Sequence, residues 1–146
     1  MRAAAIDLGA VRVGLGVSDE LGLLAHPRPH LDGRDRPRLL AALARVAKEE
    51  EVGLFLVGLP RTLAGAEGPA ARRARSFAET LAAKTGLPVE LRDERLTTVE
   101  ARARLREQGL DERRQRERID SAAAAVLLQS WLDAQPRDDE HDPGER

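Results

Sequence analysis

Three acidic residues stand where strand ends and a helix start are expected: Asp7, Glu94 and Asp120. Asp7 and Glu94 each follow a short apolar run, and Asp120 opens an alanine-rich segment. Carboxylates at one edge of an α/β sheet repel each other where solvation is poor, and a divalent cation relieves that repulsion. Because the chain has no cysteine and no suitably spaced histidines, oxygen ligation of Mg²⁺ or Mn²⁺ is favoured over zinc. These residues predict a metal-dependent enzyme that cleaves phosphodiesters.

Each acid also has a purely structural interpretation. Asp7 could cap a hairpin whose glycines only serve the turn, and Glu94 and Asp120 could be favourable acids near helix N-termini. The Asp-Leu-Gly opening with a hairpin is also typical of the phosphate-binding start of sugar kinases and actin-like ATPases. Those enzymes need a second half to close over the nucleotide, and 146 residues leave no room for it.

Length and composition favour one domain with an ordinary hydrophobic core. No run of about 18 apolar residues occurs, and the opening MRAAAIDLGA enters a patterned strand without a signal segment. We therefore expect a soluble, cytoplasmic protein without membrane association. The absence of cysteine excludes a disulfide framework and thiol catalysis.

The charge is distributed unevenly along the chain. Residues 137–146 carry five acids and two arginines, which leaves 22 basic and 20 acidic residues in 1–136. We expect a domain over 1–136 and a disordered acidic tail over 137–146. Arg95 to Arg118 contains eight arginines and five acids, a surplus compatible with phosphate contacts but short of a strongly basic nucleic-acid-binding domain. Most arginines are expected on solvated helix faces.

The elements that position the acids follow from the apolar patterning. An alternating pair of runs predicts a hairpin, a proline-containing run predicts an edge strand, and continuous apolar runs predict buried parallel strands. The fold class is therefore α/β, with a mixed central sheet of about five strands flanked by helices. The predicted strands are Ala3–Leu8, Val11–Val17, Leu23–Leu31, Val52–Val57 and Val89–Arg92.

Helix boundaries are marked by caps. Asp35 is expected to cap a helix that runs to about Glu51, and Gly86 to end a helix that starts near Pro69. A capping box at Thr97–Glu100 predicts a helix ending near Gly109. Beyond a wholly polar loop at 111–118, an apolar stripe from 119 to 131 predicts the last core helix, which Pro136 stops.

Substrate contacts are expected beside the acids. Gly58 and Pro60 follow a buried strand at the edge where a cleft would form, and Arg95 follows Glu94 directly. The aromatic residues Phe55, Phe77 and Trp131 all fall on predicted core faces, so no platform for stacking bases is expected.

Five segments, present in order between Ala3 and Asp133, together resemble the YqgF (RuvX) family. These Holliday-junction-resolvase-like proteins are described as pre-16S ribosomal RNA nucleases with a ribonuclease-H-like fold. The resemblance implies that Asp7, Glu94 and Asp120 form an acidic catalytic cluster holding two Mg²⁺ or Mn²⁺ ions. The segments are AIDLGAVRVGLGVSD, VGLP, EGP, DERLTTVEA and IDSAAAAVLLQSWLD.

The chain departs from the family pattern at two places. Leu63–Ala66 stands where Met-Asp-Gly-Thr is usual, and Arg118 stands where lysine is common. The first change leaves the acids intact but puts substrate contacts by that loop in question. The second keeps the charge while changing the donor geometry.

The resemblance implies an endonuclease acting on nucleic acid, most directly in 5′ maturation of precursor 16S ribosomal RNA. One alternative is a Holliday-junction resolvase in DNA recombination, which would require a dimer to make paired cuts. Another is a non-catalytic module that contacts ribosome-assembly or transcription partners through the arginine-rich stretch. Neither the choice between RNA and DNA nor that between monomer and homodimer is decided by the sequence.

Overall fold

The computed structural model describes residues 1–62, 64–97, 99–107 and 121–136, apart from the side chain of Arg104. Several expectations fall outside these ranges. They are the third acid Asp120, the second threonine of the predicted capping box, the polar loop at 111–118 and the acidic tail at 137–146. The predicted tail and the predicted domain boundary at 136 therefore stay predictions.

A mixed five-stranded sheet forms the centre of the molecule, with the strand order β3-β2-β1-β4-β5. The β1–β2 and β2–β3 pairs are antiparallel, whereas β4 runs parallel to both β1 and β5. The proline-containing β3 lies at the sheet edge, as its sequence predicts. The strands are β1 Arg2–Asp7, β2 Arg12–Ser18, β3 Ala25–Asp32, β4 Val52–Leu59 and β5 Val89–Asp93.

The first two helices begin and end at the predicted signals. The Asp35 carboxylate accepts a hydrogen bond from the Arg38 amide at 3.2 Å and caps the first helix. Gly86, with a φ of 72°, ends the second in the left-handed conformation that glycine tolerates best. The helices are α1 Arg36–Glu49, α2 Pro69–Thr85, α3 Val99–Glu107 and α4 Ala122–Ala134, and a single 3₁₀ turn spans Glu94–Leu96.

Strand β4 is two residues longer than the apolar run predicts. Gly58 and Leu59 continue the ladder and pair with Arg92 and Asp93 of β5. The prediction ended the strand at Val57 because Gly58 and the following Leu-Pro read as a loop. The parallel neighbour supplies the hydrogen bonds that keep this segment extended, so Gly58 belongs to the sheet and not to a loop.

Two apolar cores cover the two faces of the sheet. Side chains of α1 and α2, including Leu43 and Leu81, pack with Phe55 on one face. Side chains of α4, including Leu128, pack with Leu56 on the other. The helices therefore flank the sheet on both sides, as the α/β prediction requires. None of the described helices is long and apolar enough to cross a membrane.

Helix α4 lies unusually close to the hairpin strands. A β-carbon added at Gly16 would lie 3.1 Å from the Ala125 Cα, so only glycine at this position permits the approach without displacement. At the start of α4, Ser121 Oγ accepts a hydrogen bond from the Leu15 amide at 3.0 Å, beside an irregularity in the β2–β3 register. A polar side chain thus satisfies a buried strand amide.

A second polar group of α4 secures the edge strand. The fully buried Gln129 accepts a hydrogen bond from the Ala25 amide and donates one to the Leu23 carbonyl oxygen, both at 2.9 Å. An amide side chain can serve a backbone donor and a backbone acceptor at once. These bonds fix α4 against β3 at the opposite end from Ser121.

Candidate active site

The carboxylates of Asp7 and Glu94 lie at the same edge of the sheet. Asp7 is the last residue of β1, and Glu94 directly follows β5 as the first residue of the 3₁₀ turn. Because β1, β4 and β5 run parallel, their carboxyl ends meet at one edge. Both acids line a cavity of about 420 Å³ together with Arg102 and Val126. The structure therefore brings two of the three predicted acids together.

The third predicted acid, Asp120, is outside the described residues, but its neighbours are informative. Ser121 is fully buried against β2, and Ala122 and Ala123 line the cavity that holds Asp7 and Glu94. The start of α4 therefore lies beside this cavity, and the role of Asp120 stays a prediction.

The electrostatics of the site disfavour two charged carboxylates. Burial raises the pKa of Asp7. The pKa of Glu94 is raised first by burial and then by the negative charges of Asp7 and Asp93. Within the described ranges, neither Asp7 nor Glu94 has an ion pair or a side-chain hydrogen bond. Carboxylate oxygens that lack an ion pair are suited to a divalent metal ion.

Glycine at position 58 makes room for the Glu94 side chain. A β-carbon built on Gly58 would lie 2.8 Å from Glu94 Oε1 and 3.3 Å from its Cγ. The Glu94 side chain therefore lies directly over the carboxyl end of β4. The sequence singled out Gly58 as a cleft residue, but its role in seating a carboxylate depends on the sheet register and could not be read from the motif.

The neighbouring acid Asp93 has a different environment. Its carboxylate pairs with Arg95 at 2.6 Å and with Arg61 at 3.8 Å, and it accepts a hydrogen bond from the Arg95 amide. The side-chain hydrogen bond from Arg95 is the largest cause that lowers the pKa of Asp93 to about 2. These two adjacent acids thus have different roles. Asp93 caps the 3₁₀ turn, and Glu94 projects toward Asp7.

Helix α4 holds the 3₁₀ turn from the other side. Ser130 Oγ donates a hydrogen bond to the Leu96 carbonyl oxygen at 2.7 Å and accepts one from Arg92 Nη2 at 3.1 Å. Within the turn, Thr97 Oγ1 donates to the Glu94 carbonyl oxygen at 3.2 Å. Sequence reasoning placed Ser130 only at the margin of an apolar stripe. A serine within an apolar stripe signals a buried hydroxyl that needs a partner. The sequence does not show that the partner is Leu96, 34 residues away.

Ion pairs connect the loop after β4 to the site. Arg61 pairs with Glu67 at 3.2 Å as well as with Asp93, and Glu67 also pairs with Arg75 of α2 at 2.6 Å. The sequence favoured solvated positions for these arginines. The network instead links α2, the loop and the capping acid of the 3₁₀ turn, which restricts how that turn can move.

Two of the three predicted substrate-contact residues line a second cavity. Gly58 and Pro60 border a space of about 280 Å³ that Glu94 also lines. Arg95 lines neither this cavity nor the larger one, and its guanidinium is engaged by Asp93. The aromatic side chains of Phe55, Phe77 and Trp131 pack in or against the cores, as predicted.

The donor set fits a hard divalent cation in part. Asp7 and Glu94 supply carboxylate oxygens at a partly solvated cavity, the kind of ligand that Mg²⁺ and Mn²⁺ prefer. No group of three histidine, cysteine or acidic side chains suited to a metal occurs within residues 1–62, 64–97, 99–107 and 121–136. Asp120, the predicted third ligand, is outside these ranges.

Sequence relatives extend over nearly the whole chain. A protein of Anaeromyxobacter sp. (strain Fw109-5) named "Putative pre-16S rRNA nuclease" is 51% identical over 133 residues, which are 91% of this chain and 97% of the relative. A protein of Myxococcus xanthus (strain DK1622) with the same name is 46% identical over 144 residues, or 98% of this chain and 95% of the relative.

Solved structures share the fold at low sequence identity. RuvC of Thermus thermophilus, in complex with a Holliday junction substrate, superposes with a TM-score of 0.61 at 20% identity and covers 91% of this chain and 95% of RuvC. The Fowlpox virus resolvase, in complex with Holliday junction DNA, gives 0.58 at 10% identity, with coverages of 92% and 98%. The mixed sheet and flanking helices thus form a ribonuclease-H-like fold of the RuvC type.

A family model described as "RuvX: Holliday junction resolvase" matches residues 1–134. That range contains every element of the sheet, both described acids and helix α4. Together with relatives at about half identity over almost their full length, this match shows that the chain belongs to the RuvX family.

Proposed function

We propose that this chain is a metal-dependent endonuclease that hydrolyses phosphodiester bonds during 5′ maturation of precursor 16S ribosomal RNA. The observation that carries the proposal is that Asp7 and Glu94, two carboxylates with raised pKa and no ion pair among the described residues, line one open cavity. The names of the sequence relatives support the RNA substrate. Cytoplasmic action is part of the same proposal.

The catalytic roles follow from the ligand chemistry. Asp7 and Glu94, with Asp120 as the proposed third acid, would hold two Mg²⁺ or Mn²⁺ ions. Such ions supply an activated water molecule and stabilise charge on the leaving oxygen. The carboxylates hold their positions because β1, the Asp93 cap and Ser130 fix the backbone that carries them. No side-chain nucleophile is required, in agreement with the absence of cysteine.

Recognition of the substrate relies on its backbone in this proposal. Phe55 and Phe77 are buried in one core and Trp131 packs partly buried against the other, so stacking of bases has no part in this proposal. Gly58 and Pro60 leave open space beside Glu94, where a sugar–phosphate strand would fit. Arg95 is the proposed third contact. To bind a phosphate, its guanidinium would have to give up some of the hydrogen bonds that it donates to Asp93.

A second candidate is a Holliday-junction resolvase. The specific observation in its favour is the likeness of fold to RuvC and to the Fowlpox virus resolvase, whose solved complexes contain Holliday junction DNA. That likeness is below 25% identity and concerns the fold alone. Paired cuts at a junction would also require a homodimer, whereas trimming of an RNA end would not.

The deciding experiment is cleavage of end-labelled precursor 16S ribosomal RNA and of a four-way DNA junction by the same preparation, with Mg²⁺ or Mn²⁺. Asp7→Asn tests the site, and Asp32→Asn is the matched control, because Asp32 lies on edge strand β3 with its carboxylate paired to Arg34. We expect metal-dependent RNA cleavage that Asp7→Asn abolishes and Asp32→Asn retains.

Other outcomes would redirect the assignment. Preferential cutting of the junction, lost in Asp7→Asn, would favour the resolvase. Cleavage that survives in Asp7→Asn would contradict the proposed site. If Asp7→Asn restored full cellular function in a strain lacking the protein, a non-catalytic role with ribosome-assembly or transcription partners would replace the nuclease.

A further inference from the structure

Three cavities adjoin one another along the carboxyl edge of the sheet. Glu94 lines both the 420 Å³ cavity that holds Asp7 and the 280 Å³ cavity beside Gly58. Arg36 and Arg73 line the second cavity and also a third, of about 160 Å³. The shared side chains place the three cavities side by side, from the acidic pair to the starts of α1 and α2, and we call this row of cavities the groove.

The far half of this groove is basic. Its third cavity is lined by Arg36, Arg73, Phe77 and the hydroxyl residues Ser76 and Thr80, with no acidic side chain. Neither arginine forms an ion pair with another residue in the described ranges. Both are exposed, so their guanidinium donors face the groove and the solvent. By contrast, Arg61, Arg75 and Arg95 are all paired with carboxylates.

The placement of Arg36 opposes the usual rule for helix ends. Acids are favourable and cations unfavourable near a helix N-terminus. The first turns of α1 and α2 nevertheless contain no acid, and Arg36 begins α1 directly after its Asp35 cap. Local rules are most often broken at functional sites. The N-terminus of α2, which has no side-chain cap, and two guanidinium groups without an ion pair among the described residues make a favourable location for an anion.

The Arg36 side chain is also held in place before any ligand arrives. Its guanidinium carbon lies 5.0 Å from the centroid of the Phe77 ring, within the range of a cation–π interaction. Phe77 is buried in the core and cannot move freely. A side chain held in this way loses less conformational entropy when it binds a phosphate.

We propose that Arg36 and Arg73 bind backbone phosphates of the nucleic-acid strand that is cut at Asp7 and Glu94. This inference rests on the proposed nuclease function and adds the path of the strand: from the acids, past Gly58, to the starts of α1 and α2. The recognised group is the phosphodiester common to RNA and DNA. The groove therefore positions a strand without reading its sequence.

The test is the salt dependence of binding, measured without cleavage. A fluorescent single-stranded RNA and a DNA of equivalent sequence are titrated by anisotropy in EDTA at several salt concentrations. Each phosphate contact contributes about 0.7 to the slope of log affinity against log salt for single strands. The double variant Arg36→Gln/Arg73→Gln should reduce the slope by about 1.4 with both strands.

The matched control is Arg45→Gln/Arg72→Gln, which removes the same charge from the same two helices at positions that do not line the groove. Its slope should match that of the unchanged protein. If Arg36→Gln loosens the fold through the lost contact with Phe77, the single variant Arg73→Gln leaves that contact intact and should reduce the slope by about 0.7.

An unchanged slope in the groove variant, or an equal reduction in both double variants, would overturn the proposal. A reduction with RNA but not with DNA would also overturn it, because the recognised group would then not be the shared phosphodiester. The measurement uses neither metal nor cleavage, so it is independent of the catalytic test. Cleavage retained in Asp7→Asn would contradict the proposed catalytic site but would leave the conclusion about phosphate binding unchanged.

Discussion

The β-carbon of any residue other than glycine at position 58 would lie 2.8 Å from Glu94 Oε1. The nearest obstacle is the end of a flexible side chain and not backbone, so the carboxylate can swing away at little cost in stability. Gly58→Ala should therefore misplace Glu94 without unfolding the protein. Because a 1 Å misplacement at an active site can cost about 100-fold in rate, we expect a loss of that order in kcat.

The measurement for this variant is the cleavage rate together with the melting temperature. Gly68→Ala is the control, since an added β-carbon there meets no atom within 4 Å. Equal activities of the two variants would show that the space that Gly58 leaves for the Glu94 side chain is unimportant for catalysis. A large fall in melting temperature for Gly58→Ala would instead point to a structural role.

Removing one carboxylate of the site should stabilise the metal-free protein. Burial raises the pKa of Asp7, so the native state binds this proton more tightly than the unfolded chain. Stability then decreases as the pH rises from the ordinary carboxyl range through the raised pKa, and the full penalty remains at neutral pH. In EDTA, Asp7→Asn should melt at a higher temperature than the unchanged protein at pH 7, and this difference should shrink toward acidic pH.

Asp32→Asn provides the opposite expectation. The side-chain hydrogen bond from Arg34 is the largest cause that lowers the pKa of Asp32 to about 2, so its ionised form is the stabilised one. Its replacement should leave the neutral-pH melting temperature unchanged or slightly lower. An Asp7→Asn protein that melts below Asp32→Asn at pH 7 would contradict the desolvation account of the site.

Divalent cations should raise the melting temperature of the unchanged protein. Ligand at ten times its dissociation constant adds about 1.4 kcal/mol of stability, and a domain of this size gains about 2 to 4 °C per kcal/mol. Mg²⁺ or Mn²⁺ should therefore give an increase of about 3 to 6 °C that EDTA reverses. Glu94→Gln should lose most of the increase; an equal increase in that variant would place the binding elsewhere.

Ser130 should affect activity beyond its effect on stability. Ser130→Ala removes the part-buried hydrogen bond to the Leu96 carbonyl oxygen, at a cost of about 0.5 to 1.5 kcal/mol. The control is Ser18→Ala, which removes another buried hydroxyl, the acceptor of the Ala3 amide at 2.9 Å.

Both serine variants should be destabilised to a similar degree, and chemical denaturation will measure this. Only Ser130→Ala should lower kcat, because only Ser130 contacts the turn that begins with Glu94. Parallel losses of activity in both variants would mean that the loss follows from stability alone.

Local signals in the sequence were sufficient for most of the fold. The Asp35 cap, the Gly86 end and the apolar run of β4 depend on neighbouring residues, and each was predicted from them. The convergence of Asp7 and Glu94 followed from the parallel order of the strands that carry them.

The supporting contacts of the site could not be predicted in the same way. Ser121 meets Leu15 across 106 residues, and Ser130 meets Leu96 across 34. Such pairs depend on the packing distance of α4, which glycine at position 16 permits. The division of roles between Asp93 and Glu94 was likewise hidden, because it is the Arg61 and Arg95 partners that distinguish the two acids.

The closeness of α4 to β2 has a consequence for when the site exists. The 420 Å³ cavity has Asp7 of the first strand on one side and α4, the last described helix, on the other. During synthesis the first strand is made long before that helix, and until the helix docks Asp7 lies on an uncovered sheet with no facing wall. A growing chain therefore has no finished cleft until α4, the last described helix, has left the ribosome, so the cavity that holds both acids is completed late in folding.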